Sequence, residues 1–169
     1  MPIGPAPAYL RFQFVRQADL ASDLIALVGA GQFSHVDISL DDYSLLGARS
    51  DSVGGKPPGV QIRPANYDVD VWTHQVLISV PCTVEGKAAA LAFVNAQVGK
   101  GYDKLAIAGF VVGRNWRDES EWFCSELGAR YGEVAGAFAE MFAPDNKIAP
   151  NALALVCSAV PGRAITVLK

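Results

Sequence analysis

The chain has 169 residues, 51% of them apolar and 18% charged, a composition that supports a packed core and excludes a disordered polymer. Fourteen basic residues against seventeen acidic ones give a formal charge of -3. With no run of Lys or Arg to offset that balance, a nucleic-acid partner is excluded.

In chain order, "YLRFQFV" alternates and predicts a strand after a Pro-rich start. "DLASDLIALVGAG" predicts a helix, with Leu20, Leu24, Ile25 and Val28 at helical spacing and glycines at its end. In "SHVDISL", Val36, Ile38 and Leu40 point one way and His35, Asp37 and Ser39 the other, which predicts a half-buried strand whose polar face starts with a histidine. "YSLLGARS" predicts the next strand, reached through a tight turn at Asp41 and Asp42. "DSVGGKPPG" is a loop by composition, and "VQIRP" and "HQVLISV" extend the same antiparallel set.

"VEGKAAALAFVNAQVGKG" predicts a helix with Leu91, Val94 and Val98 along one side, and "YDKLAIAGFVVG" fits either helix or strand and is read as a short helix. A further helix follows Cys124 and carries Leu127, Tyr131, Val134 and Phe138 as one stripe. "NALALVCSAV" and "AITVL" close the chain as a helix and a strand. No linker, repeat or low-complexity block divides the sequence, so one domain over residues 1–169 is expected. Its class is α+β, a central antiparallel sheet with helices packed around it.

The three cysteines, Cys82, Cys124 and Cys157, are widely separated and form no C-x-x-C pair. Only His35 and His74 could join them as ligands, so no metal and no cofactor is expected, and the thiols are read as free, in a reducing compartment. "MPIGPAPAYLRFQF" has neither the basic nor the apolar region of a signal peptide, and no run of about 18 apolar residues predicts a transmembrane helix, so the expected location is cytoplasmic.

"DESEWFCSELGARYG" puts Cys124 at the start of its helix, where unpaired N–H groups and the macrodipole favour an anion. Such a setting activates a thiol, and the same N–H groups could receive an oxyanion when the thiolate attacks a carbonyl. The competing reading is a small apolar residue plugging a core. Glu126 suits the helix start in either case. His35 is the better candidate base, because an imidazole at the start of its strand can reach over the sheet edge to a helix packed there; His74 also starts a strand. Cys82 and Cys157 are read as packing thiols.

The series "FSHVDISL", "LLGARSDSVGGKPPGVQIRP", "GKGYDKL" and "EWFCSEL" resembles the ordered motifs of the permuted NlpC/p60-type papain-like cysteine hydrolases, in their YiiX-like branch, over about residues 18 to 130. In that family the histidine strand precedes the cysteine helix. The resemblance implies a circularly permuted papain-like domain with Cys124 as nucleophile and His35 as its base. It implies a hydrolase, a peptidase or amidase acting through a thioester on a small peptide, amide or acyl substrate. Ser34, Tyr102 and Trp122, from the same motifs, are the candidate substrate-binding residues. Many members carry a polar residue, often acidic, on the strand after the histidine strand, which orients the imidazole. Here the aligned position is about Gly47, so Asp51, Ser50 or a backbone carbonyl is left for the third role, with Asp51 the candidate. Two other functions stay open: a binding or assembly domain that has lost its full triad, and an acyltransferase that passes a lipid acyl group to an acceptor other than water.

Overall fold

A computed structural model describes residues 7–17, 31–103, 120–138 and 148–169 of the chain. The helix expected at 19–31 falls outside the described residues except for Gly31, and so does "YDKLAIAGFVVG" beyond Asp103. The described elements are β1 (Ala8–Gln17), β2 (His35–Ser39), β3 (Ser44–Arg49), β4 (Gly59–Pro64), β5 (Trp72–Cys82), α1 (Val84–Asn95), β6 (Gly101–Tyr102), β7 (Glu121–Trp122), α2 (Cys124–Val134), α3 (Pro150–Ala159) and β8 (Ala164–Val167). Six strands form one sheet in the order β4-β3-β2-β1-β5-β8, every neighbouring pair antiparallel. β6 and β7 form a separate short parallel pair.

Alternation along the strands sorts the sheet into two faces. Leu10, Phe12 and Phe14 of β1, Val36 and Ile38 of β2, Leu46 and Ala48 of β3 and Ile78 and Val80 of β5 belong to the larger core. The helices cover that face: α2 packs on β2 and β3, α1 on α2 and β1, and α3 on α2 and β5. Tyr131 of α2 meets Phe12 edge-on at 5.6 Å. The helix stripe contributes Leu127 and Tyr131 as buried residues; α2 ends at Val134, so Phe138 lies beyond it and packs from the following turn. Gly132 leaves room for that ring, since a Cβ there would lie 2.0 Å from Phe138 Cζ. In α1 the buried residues are Ala90 and Val94, whereas Val98 lies past the helix end and is exposed.

The opposite face is polar in sequence and yet buried. Val15, Leu45 and Trp72 form a second, smaller cluster there, with Ala65 and Tyr67 packed against it. The turns after β4 therefore lie over the polar side of β2, and all five of its residues are buried rather than alternately exposed. Arg63, also buried, donates to the carbonyls of Gly47 (3.0 Å), Val53 (3.3 Å) and Pro57 (3.2 Å), tying the Gly- and Pro-rich loop to β3. Such carbonyl contacts are what a guanidinium out of water requires. Among the described residues, no helix is long and apolar enough to cross a membrane.

Candidate active site

Cys124 is the first residue of α2 and only 2% exposed. The preceding Phe123 is extended (φ -88°, ψ 150°) and has no side-chain acceptor for the first turn. Only half of a capping box is present, the Glu126 carboxylate accepting from the Phe123 N–H at 3.5 Å. Next to the thiol, the Ser125 hydroxyl donates to the Ile148 carbonyl at 2.6 Å, which ties the start of α2 to the segment leading into α3. Gly128 lets those helices approach: a Cβ there would lie 2.9 Å from Leu153 Cδ2.

His35 starts β2, so its ring stands at the end of the sheet, close enough to the Cys124 side chain for the two to influence each other. Nε2 of the same ring lies 2.9 Å from Asp37 Oδ1. With Nε2 engaged by the carboxylate, Nδ1 is the nitrogen left for the thiol. His35 and Asp37 are two apart on one strand and therefore share a face. Gly47 on β3 makes the space for the carboxylate, because a Cβ at that position would lie 1.8 Å from Asp37 Oδ1. The second Asp37 oxygen accepts from the Tyr67 phenol at 2.8 Å.

The electrostatics follow from this packing. Burial alone pushes the His35 imidazole down, but the Asp37 carboxylate and Cys124 outweigh it and hold the ring up at about 9, from an ordinary 6.5. Burial likewise pushes Asp37 up, and His35, the Tyr67 hydrogen bond and Arg49 together keep its carboxyl below the usual range. The two groups hold each other charged, in a place where neither would ionise readily alone.

Asp51 does not supply the acid for His35. Its two oxygens bind Arg49 Nε and Nη2, each at 2.7 Å, and the hydrogen-bonded partner of the imidazole is Asp37. Asp37 and Tyr67 are the residues that sequence reasoning missed. The spacing in "HVD" puts Asp37 on the histidine's own side, whereas the family motifs place the third residue on the next strand. Tyr67 carried no local signal.

Tyr102 is buried, its ring tilted against that of Phe123 with centroids 5.8 Å apart. Ser34 is also buried, its hydroxyl accepting from the Gln17 N–H at 3.3 Å. Trp122 spends its indole N–H on Gln97 Oε1 at 3.1 Å and packs edge-on against Phe93, so it serves the α1 side of the core. His74 is exposed on β5, with Thr73 as its hydrogen-bond partner. Cys157 is fully buried in α3 and burial pushes its thiol up to about 12; Cys82, partly buried at the end of β5, is also raised by burial. Among the described residues, no three His, Cys, Asp or Glu side chains converge on a point that could hold a metal.

No protein-family model matches this chain, and no curated protein matches its sequence.

Proposed function

We propose that this protein is a cysteine hydrolase of the papain-like class, in the circularly permuted NlpC-type arrangement, cleaving an amide or ester bond through a thioester on Cys124. The observation that carries the reading is a cysteine at a helix start, with His35 near it and the His35 ring hydrogen-bonded to Asp37. Nucleophile, base and orienting acid are the three roles that thiol hydrolysis requires. The gap at Gly47, which favoured a retired binding domain, is the space that Asp37 fills.

In the reaction, the Cys124 thiolate attacks the substrate carbonyl carbon while His35 carries the proton. The displaced carbonyl electron pair rests on an oxyanion facing the first-turn N–H groups of α2. Collapse re-forms the carbonyl and breaks the bond to the leaving nitrogen or oxygen, which takes the proton from His35. Neutral His35 then removes a proton from water as the water oxygen attacks the thioester. Expulsion of the Cys124 sulfur as thiolate releases the acid and restores the thiolate beside protonated His35. One water is consumed, and one acid and one amine or alcohol are released. The substrate class is a small peptide, amide or acyl compound.

The test is acylation. With p-nitrophenyl acetate, intact-mass measurement should catch one acetyl group, mapped to Cys124, that decays with release of acetate and is absent from Cys124→Ala. Absence of any adduct, or an adduct unaffected by His35→Ala, would favour the binding-domain reading. An adduct that is stable in water and discharged only by an added amine or alcohol would point to the acyltransferase.

A further inference from the structure

The Asp37 carboxylate has two oxygens, and only Oδ1 meets His35. Rotation about the last side-chain bond of an aspartate is soft, so one hydrogen bond leaves the carboxylate plane loosely set. Here Oδ2 is taken by the Tyr67 phenol, from 30 residues along the chain. Tyr67 is itself held on several sides. Arg49 Nη1 donates to its hydroxyl at 3.3 Å, and the Arg49 and Arg63 guanidiniums lie over its ring at 5.4 and 5.8 Å. Trp72 meets the ring edge-on at 5.3 Å. Arg49 is fixed in turn by Asp51 and by Asp68, whose Oδ2 lies 3.3 Å from Nη1, and Asp68 accepts from the Gln17 amide.

We propose that Tyr67, braced by the Arg49–Asp51–Asp68 cluster, is a positioning residue of the site: by holding Asp37 Oδ2 it aims Oδ1 at His35 Nε2. The proposal rests on the cysteine-hydrolase reading for its consequence and on the hydrogen bonds above for its geometry. It gives the loop and turns over the polar face a role. Asp51 acts on His35 from four contacts away, by fixing the arginine that holds the tyrosine. Burial, and after it Asp37, push the phenol well above its ordinary range, so it stays a neutral donor to the carboxylate wherever the pair is charged.

Two measurements on the full chain test this. One is the rate of Cys124 alkylation by iodoacetamide at pH 6. The other is the downfield proton resonance of the His35 ring N–H that meets Asp37, simple to isolate because the chain has two histidines. Tyr67→Phe keeps the ring and its packing. It should shift or broaden that resonance and slow alkylation about three- to tenfold, the factor that the net worth of one hydrogen bond corresponds to. Asp37→Asn should remove the resonance, and Tyr67→Phe added to it should slow alkylation no further, because the effect travels through Asp37. An unchanged resonance and rate in Tyr67→Phe, or an equal slowing in the Asp37→Asn background, would overturn the proposal. If His35→Ala leaves Cys124 alkylation unchanged, the hydrolase reading fails, and the resonance alone then decides whether Tyr67 positions Asp37.

Discussion

A Cβ at position 47 would sit 1.8 Å from Asp37 Oδ1, so the carboxylate keeps its place beside His35 only because β3 carries no side chain there. Gly47→Ala should therefore displace Asp37 as well as crowd a packed site. The expected cost is about 1–3 kcal/mol of stability, measured by urea unfolding. Any acyl-transfer activity should fall to near the level of Asp37→Asn. That isosteric change removes the charge and keeps the volume, and its expected loss in hydrolysis rate is about 100-fold or more. It should also move the pH profile. His35 is held at about 9 against the downward push of its own burial, chiefly by Asp37. The alkaline limb, where the imidazolium is lost, should thus lie near 9 in the native protein and at lower pH in Asp37→Asn. A limb that stays in place would mean that Asp37 is not the group holding His35 protonated.

At the scale of elements, the start of β4 is clasped to the turn that leads into β6. Val60 N donates to Lys100 O at 2.9 Å, and Gly99 N donates to Val60 O at 2.9 Å. Gly59 has φ +101°, and a Cβ on it would lie 2.3 Å from Lys100 O. Gly59→Ala should cost at least about 2 kcal/mol in urea unfolding, because it combines left-handed strain with a clash against backbone. By loosening the clasp that seats Tyr102, it should also slow Cys124 chemistry. The six strands of the main sheet and the three described helices were legible in sequence, since alternation and helical spacing report which residues share a face. The two-residue β6 and β7 were not, being too short to carry a period, and Tyr102 of β6 opens a stretch read as helix. The half-buried reading of β2 failed for a physical reason. Periodicity shows that His35, Asp37 and Ser39 share a side, but the cover over that side comes from Tyr67 and Trp72, distant in sequence. The same distance hid Tyr67. The cysteine and the histidine could be picked out because each stands at the start of its element, a position that sequence punctuation reveals.

For the molecule as a whole, a charged pair buried under the sheet's polar face links stability to pH. The folded-state value of His35 is raised, so its contribution is full below 6.5 and is lost between 6.5 and about 9. Asp37 is lowered, so its contribution is present above 3.8 and is lost as pH falls through its folded value. Unfolding free energy should therefore decline from pH 6.5 to 9, and His35→Gln should flatten that decline. The central claim, that the fold assembles a reactive thiol from Cys124, His35 and Asp37, is tested most directly by substoichiometric iodoacetamide at about pH 6, with mass mapping of the labelled peptides. Exposure alone ranks Cys82 first, since Cys124 and Cys157 are the buried thiols. Burial raises both Cys82 and Cys157, however, and leaves little thiolate on either at that pH. Cys124 should be labelled first, and His35→Ala should abolish the preference without unfolding the protein. Labelling led by Cys82, or a Cys124 preference that survives loss of His35, would mean that His35 does not activate the thiol.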